Sequence, residues 1–585
     1  MAYVYLHDDG ALVVNCNYDE REVPKALGGK WNEKLKSWIV GSSKDNLDYL
    51  QQNLLGLVLE PNVQGQIDRQ VKLETTMLKL RELAKTDAVV PLRIDGLNSG
   101  ITLRNYQKLG VLFATSSDSG VLIGDDCGLG KTGMSISSAI LLKSQGKINN
   151  CLVITPASLK WNWALEIPKF CGEKFVVIDG NSEKRMAQWL KKDVFFTVVN
   201  YELLVEDLFG GRKINIKESD DDDTKQKKFN RKIKSSLKNQ VLSDVRDKIW
   251  GCIISDELHA IKSHKSLKSN ALKKLKSKYR IGLTGTPLDG KLEELHSIME
   301  FVKPGLFTSK TKFLERYATT DYFGKITGYK HVSEVRTKIA PYFLRRLKED
   351  VLKELPSKIY QTRYVILSDE ERKIYKKLAE QGHKATEDSS AMTTIIRCKQ
   401  FLDHPLLIGE NLKHHSKLDE LREILEDIIQ TKNHKVLIFT QYRTMIDILV
   451  KLFDEMRLKF LRIDGNTPSK ARADMQAEFN NDPSIDLMVG TSAMSTGLNL
   501  TGADYVVFFD KWWSNSLNEQ ASSRCHRIGQ KNVVNIITLL AHDTIEERIE
   551  SVLKTKSIIT SEALGDGDML DSGTSMNARE IAKLL

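Results

Sequence analysis

The sequence predicts an α/β protein: two tandem lobes, each a parallel sheet flanked by helices, behind a small α+β domain at the N-terminus. From about residue 100, short apolar runs alternate with amphipathic helical stretches, the pattern of a parallel sheet covered by helices. A second set of such runs begins after residue 430. The first 60 residues differ, with short runs broken by turn residues.

Taken in order, residues 1–60 form a block of their own. YVYLHDDGALVVNC reads as two short strands around a DDG turn, YDEREVPKAL as a helix and KSWIVG as another strand. Residues 61–95, with QVKLETTMLKLRELAKT, read as a polar, weakly helical connector that carries the block without burying it. The first lobe covers 96–345, with GVLIGD, CLVITP, FFTVVN, GCIISD and RIGLTG as buried strands. Its pattern breaks at about 210–248, where an acidic run precedes seven basic residues from Lys225 to Lys238. This is an insertion, either a solvated charged loop or a basic helix that touches nucleic acid. Residues 346–415 read as a helical segment joining the lobes. The second lobe covers 416–560, with KVLIFT, FLRID, DLMVG, YVVFFD and VNIITL as strands, and 561–585 reads as a flexible tail.

A chain of 585 residues exceeds what one core usually serves, in keeping with several domains. Its formal net charge of +10 favours a polyanionic partner. Seven cysteines without a C-x-x-C pair support neither a disulfide framework nor a zinc site. The opening MAYVYLHDDG lacks a targeting pattern, and no apolar run reaches the roughly 18–20 residues a membrane span needs. The expected compartment is reducing and intracellular, cytoplasmic or nuclear.

The chemistry begins where VLIG runs into DDCGLGKT, residues 125–132, and then into a helical stretch. A glycine-rich turn between strand and helix aims backbone N–H groups and a helix N-terminus at phosphate oxygens. Gly128 and Gly130 shape that turn, Lys131 reaches the outer phosphates and Thr132 ligates magnesium. Asp125 stands where the general pattern has its first glycine. GCIISDELHA puts Asp256 and Glu257 at the C-terminal end of an apolar strand, where open α/β sheets hold ligands. There Asp256 holds magnesium and Glu257 takes a proton from the attacking water. In NEQASSRCHRIGQ, Arg524 and Arg527 are three residues apart, a spacing that places both on one helical face. Facing the phosphates across a cleft, they would supply charge to the transferred phosphoryl group.

From about residue 100 to 560 the chain resembles the Swi/Snf family of superfamily-two ATPases. The resemblance rests on LRNYQKLGV, DDCGLGKT, ITPASLKWNW, VVNYELL, DELH, LTGTPL, FLRRLKEDVLKELPSK, HPLLI, VLIFTQYRTMIDIL, RIDGNTP, GTSAMSTGLNLTGADYVVFFDKWWSN and QASSRCHRIGQ, in that order. It implies two RecA-like lobes, ATP and Mg²⁺ as cofactors, and a monomer. It also implies that Gln107 reads the adenine, that Thr284 and Thr286 link the nucleotide site to the DNA path, and that Gly497 and Gln520 belong to the nucleotide pocket with Arg524 and Arg527. Backbone-contacting groups are implied in ITPASLK, with Pro156 and Lys160, and in GTSAMS, with Thr491. The chain departs from the family pattern at Leu258, where a small residue is usual, and at Met494 and Ser495, where two glycines are usual. YDEREVPKALGGKWNEKLKSWIV separately resembles the HepA-related (HARP) module of annealing helicases. There Trp31 and Trp38 either are core residues or stack on unpaired bases beside Lys30, Lys34 and Lys36.

The expected activity is ATP-driven translocation along double-stranded DNA, remodelling or annealing DNA structures or displacing bound proteins. The rivals are a strand-separating helicase and a nucleic-acid-binding scaffold with a vestigial ATPase.

Overall fold

The structure is a computed structural model that describes residues 2–7, 11–42, 44–86, 88–209, 240–286, 288, 291–322, 326–383, 388–412, 414–431, 434–495 and 497–564. The chain divides into two compact units, Met1–Val351 and Leu352–Ser561.

The N-terminal block is a five-stranded sheet of order β3-β4-β2-β1-β5, from β1 (Tyr3–Leu6), β2 (Leu12–Asn15), β3 (Lys30–Asn32), β4 (Ser37–Val40) and β5 (Val58–Leu59). Short helices α1 (Glu22–Ala26) and α2 (Lys44–Asn53) complete it. Val4, Leu12, Val14 and Val40 meet Leu47 and Leu50 of α2 in a core separate from the lobe cores. The connector does more than was expected of it. It forms α3 (Pro61–Leu83), opened by a proline where the missing N–H is harmless. This helix buries Val63 and Ile67 in the block's core and Met77 in the core of the large sheet. Its apolar residues are few but lie where helical spacing aims them at two cores, so average polarity concealed their role.

The block also rests on the first lobe. Gly28 adopts φ 75°, and a Cβ there would lie 3.1 Å from the Thr308 Cα, so only glycine permits this approach. Lys312 Nζ donates to the Lys25 carbonyl beside it.

The first lobe is built on a seven-stranded sheet of β6 (Gly120–Ile123), β7 (Cys151–Thr155), β8 (Phe175–Val177), β9 (Phe196–Asn200), β10 (Ile249–Ser255), β11 (Lys276–Leu283) and, after the hairpin β12 (Ala318–Thr320) and β13 (Ile326–Tyr329), β14 (Phe343–Leu344). Its order is β14-β6-β11-β10-β7-β9-β8, and every pair is parallel. Alternate residues feed two cores: Leu152 and Ile154 of β7 point to one face, Cys151 and Val153 to the other.

The second unit carries an all-parallel six-stranded sheet, order β15-β20-β19-β16-β18-β17, from β15 (Lys358–Val365), β16 (Val436–Phe439), β17 (Phe460–Ile463), β18 (Leu487–Gly490), β19 (Tyr505–Phe508) and β20 (Val534–Ala541). In chain order β7 to β11 lie side by side as β8-β9-β7-β10-β11, and β16 to β20 as β17-β18-β16-β19-β20. The two sheets thus share one strand order, as two related lobes require.

All ten apolar runs singled out in the sequence are strands of these sheets. β15 is a difference, because the segment 346–415 was expected to be helical. Of the charged insertion, residues 210–239 lie outside the described residues, as does the tail beyond 564; Gln240–Asp247 is helical. Among the described residues no helix is long and apolar enough to cross a membrane.

Candidate nucleotide site

β6, β11 and β10 are neighbours in the first sheet, so their C-terminal ends open on one edge. The phosphate loop follows β6, the LTGTP segment follows β11, and Asp256 and Glu257 follow β10. The sheet order thereby gathers three sequence motifs that lie far apart in the chain.

The loop ends in Gly130, the left-handed N-cap (φ 82°) of α5 (Lys131–Ser144), with Thr132 in the first turn. The left-handed φ favours glycine, and a Cβ on Gly130 would lie 2.5 Å from Gln107 Nε2 and displace that amide. Gln107 belongs to α4 (Asn105–Ser116) and donates to the Leu129 carbonyl at 3.2 Å, as does the Tyr106 hydroxyl. Its Oε1 accepts from the Arg104 backbone N–H at 3.0 Å. Gln107 is thus set against the loop before any ligand arrives. Lys131 Nζ donates to the Asp125 and Asp126 carbonyls at 2.6 and 3.1 Å, which holds the ammonium at the mouth of the loop.

Asp125, the departure from the general glycine pattern, has a structural reason. Its carboxylate is fully buried against Arg346, with Nε to Oδ1 at 3.0 Å and Nη2 closing on Oδ2. Arg346 Nη1 also donates to the Tyr106 carbonyl. The strand-end backbone after β14 continues the stitching: Gly124 N donates to Leu344 O at 2.7 Å and Asp126 N to Arg346 O at 3.1 Å. FLRRLKED therefore frames the phosphate loop, a role the sequence reading did not assign. Removing one partner of such a pair strands a buried charge. Arg346→Met should destabilise the first unit by about 3–5 kcal/mol, and adding Asp125→Asn should restore much of it; urea unfolding of the single and double variants checks this.

Asp256 is buried at the end of β10. Its Oδ2 accepts from Trp163 Nε1 at 2.8 Å and from Thr155 Oγ1 at 3.4 Å, while Oδ1 accepts from the Glu257 backbone N–H at 3.0 Å. Burial, with the neighbouring Glu257 charge, pushes the Asp256 carboxyl up to about 6. The Tyr201 hydroxyl donates to the Asp256 carbonyl at 2.8 Å. Trp163 and Tyr201 were missed as site residues, although both stand in quoted motifs, LKWNW and VVNYELL.

Glu257 takes a left-handed conformation (φ 48°), uncommon for a residue with a Cβ. Its Oε2 lies 3.3 Å from His259 Nδ1, which is 3.5 Å from Thr284 Oγ1; that hydroxyl accepts from the Thr286 N–H at 3.1 Å. His259 thus lies between the acid and the LTGTP segment. Leu258 is a core residue: a Cβ on Gly282 of β11 would lie 2.4 Å from its Cδ2. Met494 and Ser495 are likewise buried, Met494 in the apolar core and Ser495 with its hydroxyl on the Ser492 carbonyl at 2.7 Å. These three departures thus fill the interior.

In the second unit the expected helical face does not exist. The helix Asn515–Ser522 stops before Arg524, and both arginines lie in the turns beyond it. Arg524 is buried and donates to the Gln520 and Leu498 carbonyls at 3.1 and 3.2 Å, while Arg527 donates to Ser523 O at 3.2 Å. Gly497 precedes Leu498 with φ 75°, so Gln520, Arg524 and the Gly497 turn form one locally braced unit.

Of the residues expected to touch nucleic acid, Pro156, Thr286 and Thr491 are partly exposed. Lys160 is not available: it is buried, paired with Asp179 at 2.5 Å and bonded to Ile178 O. The two tryptophans separate. Trp38 packs against the block's core, whereas Trp31, 51% exposed, meets it edge to face at 5.4 Å. Lys30, Lys34 and Lys36 are exposed beside them.

The SNF2-related domain family matches residues 23–417 and the helicase conserved C-terminal domain matches 416–529. The chain belongs to the SNF2 family of helicase-related ATPases. It is 30% identical over 508 residues to an uncharacterized ATP-dependent helicase of Mycoplasma genitalium, covering 84% of this chain and 45% of that protein. It is 31% identical over 503 residues to the protein CHROMATIN REMODELING 5 of Arabidopsis thaliana, covering 79% of this chain and 27% of that one. The SNF2 chain thus spans less than half the length of these relatives. Among solved structures it is similar to the Sulfolobus solfataricus SWI2/SNF2 ATPase core in complex with dsDNA, at 29% identity, covering 81% of this chain and 96% of that one with a TM-score of 0.38. The two sheets of shared strand order are the family's RecA-like lobes.

Proposed function

We propose that this SNF2 family chain is a DNA-dependent ATPase that tracks along double-stranded DNA, remodelling or annealing DNA structures or displacing bound proteins. The observation that carries this is the convergence of the phosphate loop, Asp256, Glu257 and Thr284 on one edge of a parallel sheet, in a chain whose second sheet repeats the same strand order.

On this reading the backbone N–H groups of Gly128 to Thr132 and the Lys131 ammonium bind the ATP phosphates, and Gln107 reads the base. The Thr132 hydroxyl and the Asp256 carboxylate are the hard oxygen donors that Mg²⁺ takes. Bound there, Mg²⁺ neutralises phosphate charge. Glu257 accepts the proton of the attacking water, and Arg524 and Arg527, near Gly497 and Gln520, supply charge to the phosphoryl group in the transition state. Pro156, Thr286 and Thr491 stand in segments suited to sequence-independent backbone contacts, which a tracking motor needs because it must accept every base. Lys160, turned inward to Asp179, leaves that set.

ATP turnover measured with no nucleic acid, single-stranded DNA, blunt duplex, forked duplex and RNA tests the reading. Stimulation by duplex above single strands, with displacement of a third strand from a triplex and no opening of the duplex, is the expected result. Strand separation instead would make the chain a helicase, and no hydrolysis with any nucleic acid would make it a binding scaffold.

The N-terminal block resembles a HARP module, and its exposed face, with Trp31, Lys30, Lys34 and Lys36, suits stacking on unpaired bases at a fork. Because α3 shares the block's core, removing residues 1–60 would bare Val63 and Ile67, so a point change is the cleaner test. Trp31→Ala should cut the preference for forked over blunt duplex by about fivefold, in line with the roughly 1–3 kcal/mol of a stacked base. Duplex-stimulated turnover should stay near parental, measured at one fixed near-physiological salt concentration. An undiminished fork preference would remove the block from substrate choice.

A further inference from the structure

Asp256 is the carboxylate that the proposed function gives to the metal, and the side chain that aims it comes from the helix that begins at Lys160, the last residue of ITPASLK. That helix is α6 (Lys160–Phe170). It is fixed at its first residue, where the buried Lys160 ammonium pairs with Asp179 at 2.5 Å and bonds the Ile178 carbonyl at 3.2 Å. One turn on, Trp163 is 1% exposed and sits in the core on one face of the sheet. Its ring cannot swing, so the indole N–H has one direction, onto Asp256 Oδ2 at 2.8 Å.

Asp256 is supported from every side in a way that leaves few orientations. Oδ1 takes the Glu257 backbone N–H and Oδ2 takes Trp163, with Thr155 Oγ1 at 3.4 Å; the peptide carbonyl is held by Tyr201, whose hydroxyl also lies 2.8 Å from Ser255 Oγ. The backbone bonds fix where the residue is. Among the described residues Trp163 is the closer of two side-chain donors to Oδ2, and its rigid indole sets how the carboxylate plane is turned. A carboxylate that must present a lone pair to a small cation with strict geometry depends on such an outer partner.

We infer that Trp163 is a positioning residue for the metal carboxylate, its indole N–H holding Asp256 in the orientation that binds Mg²⁺. The inference rests on the reading of Asp256 as a metal ligand. It places the orienting donor on the helix that follows the ITPASLK turn, four residues after Pro156.

The test uses the full chain with Trp163→Phe and, to keep volume and shape, with the Trp163 indole replaced by an isosteric benzothiophene that lacks the N–H. The Mg²⁺ concentration giving half-maximal binding of a fluorescent ADP analogue, and that giving half-maximal ATP turnover, should both rise about tenfold. Binding of the same analogue in EDTA should be unchanged. A half-saturating Mg²⁺ concentration within twofold of parental in the benzothiophene variant would overturn the inference. So would a loss of turnover at parental Mg²⁺ dependence, since that is what a merely structural tryptophan gives. Asp256→Asn separates the two levels: it should abolish the Mg²⁺ dependence of analogue binding. If Asp256→Asn keeps that dependence, the metal assignment itself fails, whatever the tryptophan variants do.

Discussion

Glu257→Gln should reduce ATP turnover by about a thousandfold while leaving ATP bound, because on the proposed reading it removes the proton acceptor and little else. The substitution is nearly isosteric, and Asp256, the neighbouring carboxylate, keeps its bonds to Trp163 and to the residue-257 backbone N–H. The left-handed backbone at Glu257 is set by the tight turn after β10, so a glutamine inherits the same side-chain direction. A thousandfold is about 4 kcal/mol of transition-state stabilisation, within what a placed general base supplies. Lys131→Ala should fail by another route. On the proposed reading its ammonium binds ground-state phosphates, so ATP affinity should drop along with turnover. The pair is separated by equilibrium binding of labelled ATP and by single-turnover hydrolysis. Turnover of the glutamine variant near the parental rate would remove Glu257 from the chemistry and turn attention to its neighbour His259, 3.3 Å from the Glu257 carboxylate.

What the sequence made legible follows from which forces leave a local trace. The central strands were readable because burial on both faces demands unbroken apolar runs, as in CLVITP and GCIISD. β15 left no such trace. It is an edge strand whose Ile359, Tyr360 and Tyr364 are exposed, so its sequence lacks the apolar run that marked the others. β8, three residues long, and β14, two residues long, are too short for periodicity to register. At the site, Lys131, Asp256 and Glu257 announce themselves because loop and strand-end chemistry is local. The partners that hold them do not. Asp125 and Arg346 are 221 residues apart, and Trp163 and Asp256 are 93 apart; only the sheet order brings them together. Lys160 misled for the same reason. A lysine in a phosphate-contacting segment reads as a contact until its pairing with Asp179 is seen.

Arg524 and Arg527 carry the second large effect, and the structure changes how each should be tested. Both were expected on one helical face, yet the helix ends at Ser522; Arg524 donates to the Gln520 and Leu498 carbonyls and Arg527 to the Ser523 carbonyl. Arg524 is buried and braces Leu498, so Arg524→Ala removes packing as well as charge and confounds fold with chemistry. Arg527 is the better probe, since it is only partly buried, whereas Arg524 is buried. Arg527→Ala should lower the hydrolysis rate by about a thousandfold at saturating ATP and DNA, the scale of an arginine that stabilises a transferring phosphoryl group. ATP affinity should change by less than about fivefold, because charge needed only in the transition state contributes little to ground-state binding. Arg527→Lys should recover little, since a point charge does not reproduce the planar fork on phosphate oxygens. Single-turnover hydrolysis beside equilibrium ATP binding decides it. A variant that loses affinity and keeps its hydrolysis rate would make Arg527 a nucleotide-binding residue and leave the transition-state charge to Arg524.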